Sequence, residues 1–361
     1  MTLHEQMVLG ILVSQQNLRS PYVRSVLETA KQNGLQATAV TATMLLEAKP
    51  TRLWPLPTVV YNRLPTRRDE ASDAVKRAKI WARENNIPYF NERFLNKREI
   101  DEVLRESVDT ASLLPNTVLR LNEKSVSDML AEYQEIFIKP ISGSFGEGIC
   151  RMAQEGRAYR LQVREYDRIN TYHFQHINEC IRYCQSRFAI GPFIVQEAVS
   201  LLQYDDCKTD FRVHVHRLDL SHWRVAGIGA KVAQPDGITT HVHSGGRLED
   251  ADVVLRSWFG SDAPRVRHAL ESAAKTVSRR LAEQMDGWYA EFGLDMGISQ
   301  NERIVLFEAN AKPGRMIFSH PSLKSAGVKS REYVLSFASF LHPATQDLMV
   351  DAYQTGDGRD S

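Results

Sequence analysis

Four cysteines in 361 residues are few, and Cys150, Cys180, Cys184 and Cys207 lack the paired spacing of a zinc ribbon or of a small secreted disulfide scaffold. Reduced thiols in a cytoplasmic protein are therefore expected. Long apolar runs are missing too: residues 7–13 fall far short of the roughly 20 residues that cross a bilayer. Glu5 precedes that run and no basic flank or small-residue cleavage site surrounds it, so it reads as a buried first strand and no membrane span is expected. Net charge is also absent. The 45 Lys+Arg against 44 Asp+Glu leave +1, so no global field draws the chain to nucleic acid or an anionic membrane, and no nucleic-acid partner is expected. There is no internal repeat or heptad, and the one low-complexity stretch is a polar tail at residues 355–361. Three catalytic signatures are missing as well: GxxxxGK[ST], a GxGxxG that opens a helix, and GxSxG.

What remains is a packed globular protein, 43% apolar and 25% charged. At roughly 150 residues per domain it suits two or three lobes. Strand patterns at residues 8–13, 36–41 and 57–62 enclose a helical stretch at 21–33 stopped by Gly34, which predicts a parallel α/β lobe. A helix over 69–85 and a strand over 87–90 complete it. The division expected is a first domain at 1–91 and a second at 92–345, with lobes at about 115–198 and 199–345, then a polar tail at 346–361. The second domain opens with amphipathic helices at 97–108 and 125–133, followed by a buried strand at 135–140 ending Lys139-Pro140.

The loop after that strand carries Gly143, Ser144, Phe145, Gly146 and Gly148. Its glycines permit positive φ and close backbone approach, which suits amides wrapped around phosphate oxygens, or else a structural glycine hairpin. A strand at 193–199 ends in Gln196, Glu197 and Ala198. Along 210–216, period two puts Asp210, Arg212, His214 and His216 on one face, which either meets solvent or lines a site. His214 with His216, and His241 with His243, are H-x-H pairs that also fit zinc. Late in the chain, a hairpin with a four-residue loop at 300–303 sets Asp295 opposite Glu308, and Asn310 on the face of Glu308. Three hard oxygen donors then converge, as Mg²⁺ prefers. The alternative is an exposed acidic hairpin.

In order, Lys97, Ile138-Lys139-Pro140, the glycine loop, Val195-Gln196-Glu197, Asp210-Phe211-Arg212, Asp295 and Glu308-x-Asn310-x-x-Pro313-Gly314 resemble the ATP-grasp superfamily of carboxylate–amine ligases. Val59-Val60-Tyr61-Asn62-Arg63 and the Asn310–Arg315 ending resemble its YheC/YheD branch, the endospore coat-associated proteins. The resemblance implies an α/β (α+β) architecture: an N-terminal pre-ATP-grasp domain, then two α+β subdomains clamping ATP. It implies that Lys97 and Lys139 meet phosphates or adenine, that the glycine loop covers the β and γ phosphates, that Gln196, Glu197 and Ala198 meet the adenine edge, and that Asp205 reaches the ribose. Asp295, Glu308 and Asn310 would hold one or two Mg²⁺ ions. Arg212 and Lys231 would stabilise the transferred phosphoryl group; His243, Arg247 and Arg315 would touch substrate.

The implied chemistry joins a small-molecule carboxylate to an amine, from an amino acid or peptide, with spore-coat proteins as partners. The implied location is the cytoplasm, with coat association. Two departures stand out: Gly293 replaces the arginine many such ligases carry two residues before the metal aspartate, and Lys231 stands where some peptide-extending relatives carry arginine. A non-catalytic nucleotide-binding coat-assembly protein and a hydroxyl kinase are the other readings.

Overall fold

The computed structural model describes residues 7–47, 56–141, 148–165, 168–187, 192–235, 237–238, 240 and 245–343. Three sheets organise them. The first has the order β2-β1-β3-β4, from β1 (Val8–Leu12), β2 (Gln36–Val40), β3 (Val59–Asn62) and β4 (Tyr89–Phe90), all parallel. Its helices are α1 (Pro21–Gln32), α2 (Ala42–Glu47), α3 (Arg67–Glu70) and α4 (Asp73–Glu84). Pro21 at the first helical position and the Ser20 hydroxyl, which accepts from the Val23 N–H, start α1. Gly34, at φ +69°, lets the chain turn back into β2.

The helix expected at 69–85 is broken at Ser72, which is extended and accepts from Val75 N–H as the cap of α4. The helix expected at 97–108 likewise divides into α5 (Lys97–Arg105) and α6 (Val108–Ala111) at the extended Ser107. In both places a serine favours a helix start over a helix interior, an effect that apolar periodicity does not register.

The middle sheet runs β5-β10-β6-β7-β8-β9: β5 (Thr117–Val118), β6 (Glu135–Pro140), β7 (Cys150–Glu155), β8 (Ala158–Glu165), β9 (Arg168–Phe174) and β10 (Phe193–Glu197), with α7 (Glu123–Glu132) and α8 (Ile177–Arg187). One face buries Ile136, Ile138, Met152, Leu161 and Val163 against those helices. Period two sends Phe137, Lys139 and Arg151 to the opposite face.

The third sheet, β14-β13-β12-β15-β16 with β11 paired to β12, comprises β11 (Gln203–Tyr204), β12 (Cys207–Arg217), β13 (Trp223–Val232), β14 (Arg247–Asp250), β15 (Glu291–Ile298) and β16 (Ile304–Asn310). The helices α9 (Ala251–Phe259) and α10 (Ala263–Gln284) bury one face through Phe211, Val213, Leu270, Val277, Phe292 and Leu294. The last helix, α11 (Lys324–Leu341), sends Val334, Phe337, Ala338 and Leu341 into the core of the first sheet, beside Leu9, Ile11, Tyr61 and Phe90. All four cysteines are buried and none is bridged. Among the described residues no helix is long and apolar enough to cross a membrane.

Candidate functional site

The polar faces of the middle and third sheets enclose a cleft of about 1150 Å³, measured out to open solvent. From the middle sheet come Phe137, Lys139, Gln196, Glu197 and Ala198; from the third come Asp210, Lys231, Asp295, Phe307 and Glu308, with Lys97 between them. Lys97 is placed by its helix start: the Asn96–Glu99 capping box fixes the first turn of α5, and the Lys97 N–H donates to the Ile141 carbonyl at 3.2 Å.

Lys139 is half-buried beside the rings of Phe137 and Phe307, 5.2 and 5.9 Å from their centroids, and donates to the Gln196 side-chain oxygen. Gln196 in turn donates to Thr117 Oγ1 at 3.0 Å. Burial, reinforced by the like charge of Lys97, pushes the Lys139 ammonium down to about 8. The Glu197 carboxylate is held by Arg303 at 2.6 Å. Ala198 donates its N–H to the Glu135 carbonyl at 3.1 Å.

Asp295 lies directly opposite Glu308, and Gly293 opposite Asn310. The turn between β15 and β16 has five residues, 299–303, one more than expected, since Ile298 pairs with Ile304. An extra residue in β16, Phe307, lets Met296 face Leu306 while Asp295 faces Glu308. The bulge offsets the longer turn, so the register at the acidic pair is the one expected.

The stripe on β12 is buried rather than solvated. Arg212 is the cross-strand neighbour of Asp295 and grips it twice, Nε to Oδ1 at 2.7 Å and Nη2 to Oδ2 at 2.8 Å. Lys231 Nζ bridges Asp295 at 2.8 Å and Asp210 at 3.1 Å, and the Thr240 hydroxyl donates to Asp210 at 2.6 Å. Burial opposes the charge of Arg212, yet Asp295 raises its pKa above the usual arginine value. A side chain at 293 has no room, because a Cβ there would sit 2.5 Å from Pro313 and 3.4 Å from the Arg212 guanidinium. Arg212 thus fills, from the neighbouring strand, the space beside Gly293.

The two histidines of the stripe are structural. His214 Nε2 meets the Gly314 carbonyl at 3.0 Å and His216 Nε2 meets Ser330 Oγ at 3.0 Å. Burial pushes His216 down to about 3 and His214 well below its ordinary value, so both are neutral at pH 7. Among the described residues no three His, Cys, Asp or Glu side chains are grouped to hold a metal, and the Nε2 atoms of this pair are engaged by Gly314 and Ser330. The other pair, with His243, lies outside the described residues, as do Gly143, Ser144, Phe145 and Gly146. Gly148, at φ +72°, leads from that loop into β7.

Asp205 and Arg247 lie apart from the cleft lining. Asp205 and Asp206, at φ +49° and +57°, form the two-residue turn between β11 and β12, where Asp205 pairs with Arg247, itself 3.0 Å from Glu249. Arg315 is spent in a buried cluster: it donates to Glu291, Ser330 and Tyr22. Glu291, at 0% exposure, also accepts from Tyr61 at 2.6 Å and Asn91 at 3.0 Å. Phe137, Phe307 and Thr240 line the cleft without having been singled out in sequence. The alternation of β6 marks Phe137 as a neighbour of Lys139 on one face. No comparable signal marks Phe307, because its orientation depends on the bulge.

A YheC/D-like ATP-grasp family model matches residues 86–341. Endospore coat-associated protein YheD of Bacillus subtilis (strain 168) is 31% identical over 294 residues, 80% of this chain; the chain spans only 64% of that protein's length. Endospore coat-associated protein YheC of the same strain is 19% identical over 72% of this chain and 71% of its own. Among solved structures, D-alanyl-alanine synthetase A from Vibrio cholerae superposes with a TM-score of 0.53 at 13% identity, covering 92% of this chain and 98% of that one. At that identity the likeness speaks for the fold, which is that of ATP-grasp ligases. On the matching family model and the identity to YheD, the chain belongs to the YheC/D-like ATP-grasp family.

Proposed function

We propose that the protein is an ATP- and Mg²⁺-dependent carboxylate–amine ligase acting on amino-acid or peptide substrates in spore-coat or cell-envelope formation. One observation carries this reading: Asp295 and Glu308 face each other inside a cleft that Lys97 and Lys139 also line. The residues fit both groups. Carboxylate oxygens of Asp295 and Glu308 and the amide oxygen of Asn310, on adjacent strands, suit a hard divalent cation. Two ammonium groups beside a pocket walled by Phe137 and Phe307 suit polyphosphate and a purine. The ion would neutralise charge on the phosphates during transfer.

In the reaction proposed, a substrate carboxylate oxygen bonds to the γ-phosphorus of ATP and ADP departs. The amine nitrogen then bonds to the acyl carbon, phosphate leaves, and the amine gives up a proton. Arg212, fixed by its bidentate grip on Asp295, and Lys231 supply positive charge beside the transferred group. The hydrophobic wall limits water, which would hydrolyse an acyl phosphate.

Incubation with ATP, Mg²⁺ and pooled amino acids and coat or cell-wall peptides, with phosphate release and product mass read together, tests the reading. ADP with a product one water lighter than its two substrates is the expected result; a phosphorylated hydroxyl would make the protein a kinase. The relatives are named for association with the endospore coat, and a nucleotide-binding assembly protein is the second reading. Thermal stabilisation by nucleotide with no turnover from any pool would select it.

Lys139 adds a pH dependence. With its ammonium titrating at about 8, the charged form that meets phosphate is largely present at pH 7 and mostly gone by pH 9. ATP affinity is therefore expected to fall about tenfold between those values, as the competent fraction falls. Calorimetric titration at several pH values checks it, and Lys139→Met should flatten the profile.

A further inference from the structure

Each carboxylate of the acidic pair already has a cation of this chain as its partner. Lys97 Nζ is 3.3 Å from Glu308 Oε1. Arg212 and Lys231 are 2.7 and 2.8 Å from Asp295 Oδ1. With Asp210, also on Lys231, three carboxylates meet three cations, and Lys139 adds a fourth positive charge to the same cleft. A divalent ion arriving alone enters a set that is already neutral or positive. A polyphosphate arriving alone meets carboxylates beside its lysines. Only the two together restore the balance of charge.

The three cations differ in how readily they can yield. Arg212 grips both oxygens of Asp295 from within β12, and the buried Lys231 bridges Asp210 and Asp295. Lys97 stands at the first position of α5, where a long flexible side chain lines the cleft, and its 3.3 Å contact with Glu308 is longer than the 2.7 and 2.8 Å contacts of Arg212 and Lys231 with Asp295. It alone can swing from Glu308 to a neighbouring anion while its backbone stays fixed.

Resting on the metal and nucleotide assignments above, we infer that Lys97 is a coupling residue: its ammonium occupies Glu308 until a nucleotide offers phosphate in exchange, so that metal and nucleotide bind cooperatively and neither binds well alone. Reciprocity follows from linkage, because whatever factor nucleotide adds to metal affinity, metal adds to nucleotide affinity. The exchange also gives Lys97 a role before any chemistry, which a simple phosphate contact lacks.

The test is equilibrium binding of Mn²⁺, followed by electron paramagnetic resonance, with and without ADP, in the wild type and in Lys97→Met. Turnover is not needed, so failure of the ligase reading leaves the test intact. In the wild type, ADP is expected to tighten Mn²⁺ binding by well over tenfold. In Lys97→Met, Mn²⁺ alone should bind about tenfold more tightly than to the wild type, and the factor added by ADP should shrink correspondingly. A residue that only contacts phosphate would weaken ADP binding and leave the affinity for Mn²⁺ alone unchanged; that result overturns the inference. No Mn²⁺ binding in either protein at saturating ADP overturns it too, together with the metal assignment. Lys97→Gln provides a second variant should Lys97→Met fail to fold, and thermal melts of both establish that they do.

Discussion

Replacing Glu308 by glutamine is expected to reduce ADP formation by roughly a thousandfold or more, the scale on which a charge-stabilising group aimed at a transition state acts. The thermal midpoint should barely move, for the side chain is 22% exposed and the amide keeps its shape. Glutamine cannot replace the carboxylate charge that a divalent cation seeks, and it leaves Lys97 without its ion pair. Stopped assays of ADP release and a melting curve on the same preparation separate the two effects. Turnover at the wild-type rate would remove Glu308 from the metal site.

The second large effect is on stability. Arg315→Met should cost about 3–5 kcal/mol, because it leaves the Glu291 carboxylate buried without its main cation. Burial opposes the charge on Glu291, yet Arg315 and Arg63, with the hydrogen bond from Tyr61, hold its pKa below the ordinary glutamate value. That contribution is therefore complete above about pH 4.3 and is lost as the pH falls below it. Adding Glu291→Gln to Arg315→Met should recover a large part of the loss, since a neutral amide oxygen still accepts from Tyr61 and Asn91 without needing a counter-charge. Urea unfolding of both single variants and the double variant measures the coupling. A double variant no more stable than Arg315→Met would show that the loss comes from packing.

The acidic pair was legible in sequence because strand alternation and a short turn constrain it, and its register came out as expected by a different route. Strand alternation predicts a four-residue loop; the Ser299 hydroxyl, accepting from the Arg303 N–H at 3.0 Å, and Glu302 at φ +61° close a five-residue one, and the bulge at Phe307 makes up the difference. Bulges of this kind leave no mark on periodicity. Arg212 was legible as a charge on a polar stripe, but its reach into the space beside Gly293 is a property of two strands adjacent only in space. Arg315 shows the converse. It follows directly on Pro313-Gly314, where the resemblance implies a substrate contact, whereas the fold turns its guanidinium toward Glu291, Tyr22 and Ser330. Partners so distant in sequence are invisible to any local pattern. The helix breaks at Ser72 and Ser107 are local instead: both serines are extended, and Ser72 accepts from the Val75 N–H.

The seating of α11 in the core of the first sheet has a consequence for biosynthesis. Residues 8–90 are made well before the helix that closes one face of their sheet, since the strands of the middle and third sheets lie between them in sequence. At 5–20 residues per second, the interval is on the order of ten seconds or more. During that time Leu9, Ile11, Tyr61 and Phe90 lack their final cover. The first sheet thus keeps only α1 on that face until residues roughly 230 positions beyond Phe90 have been made.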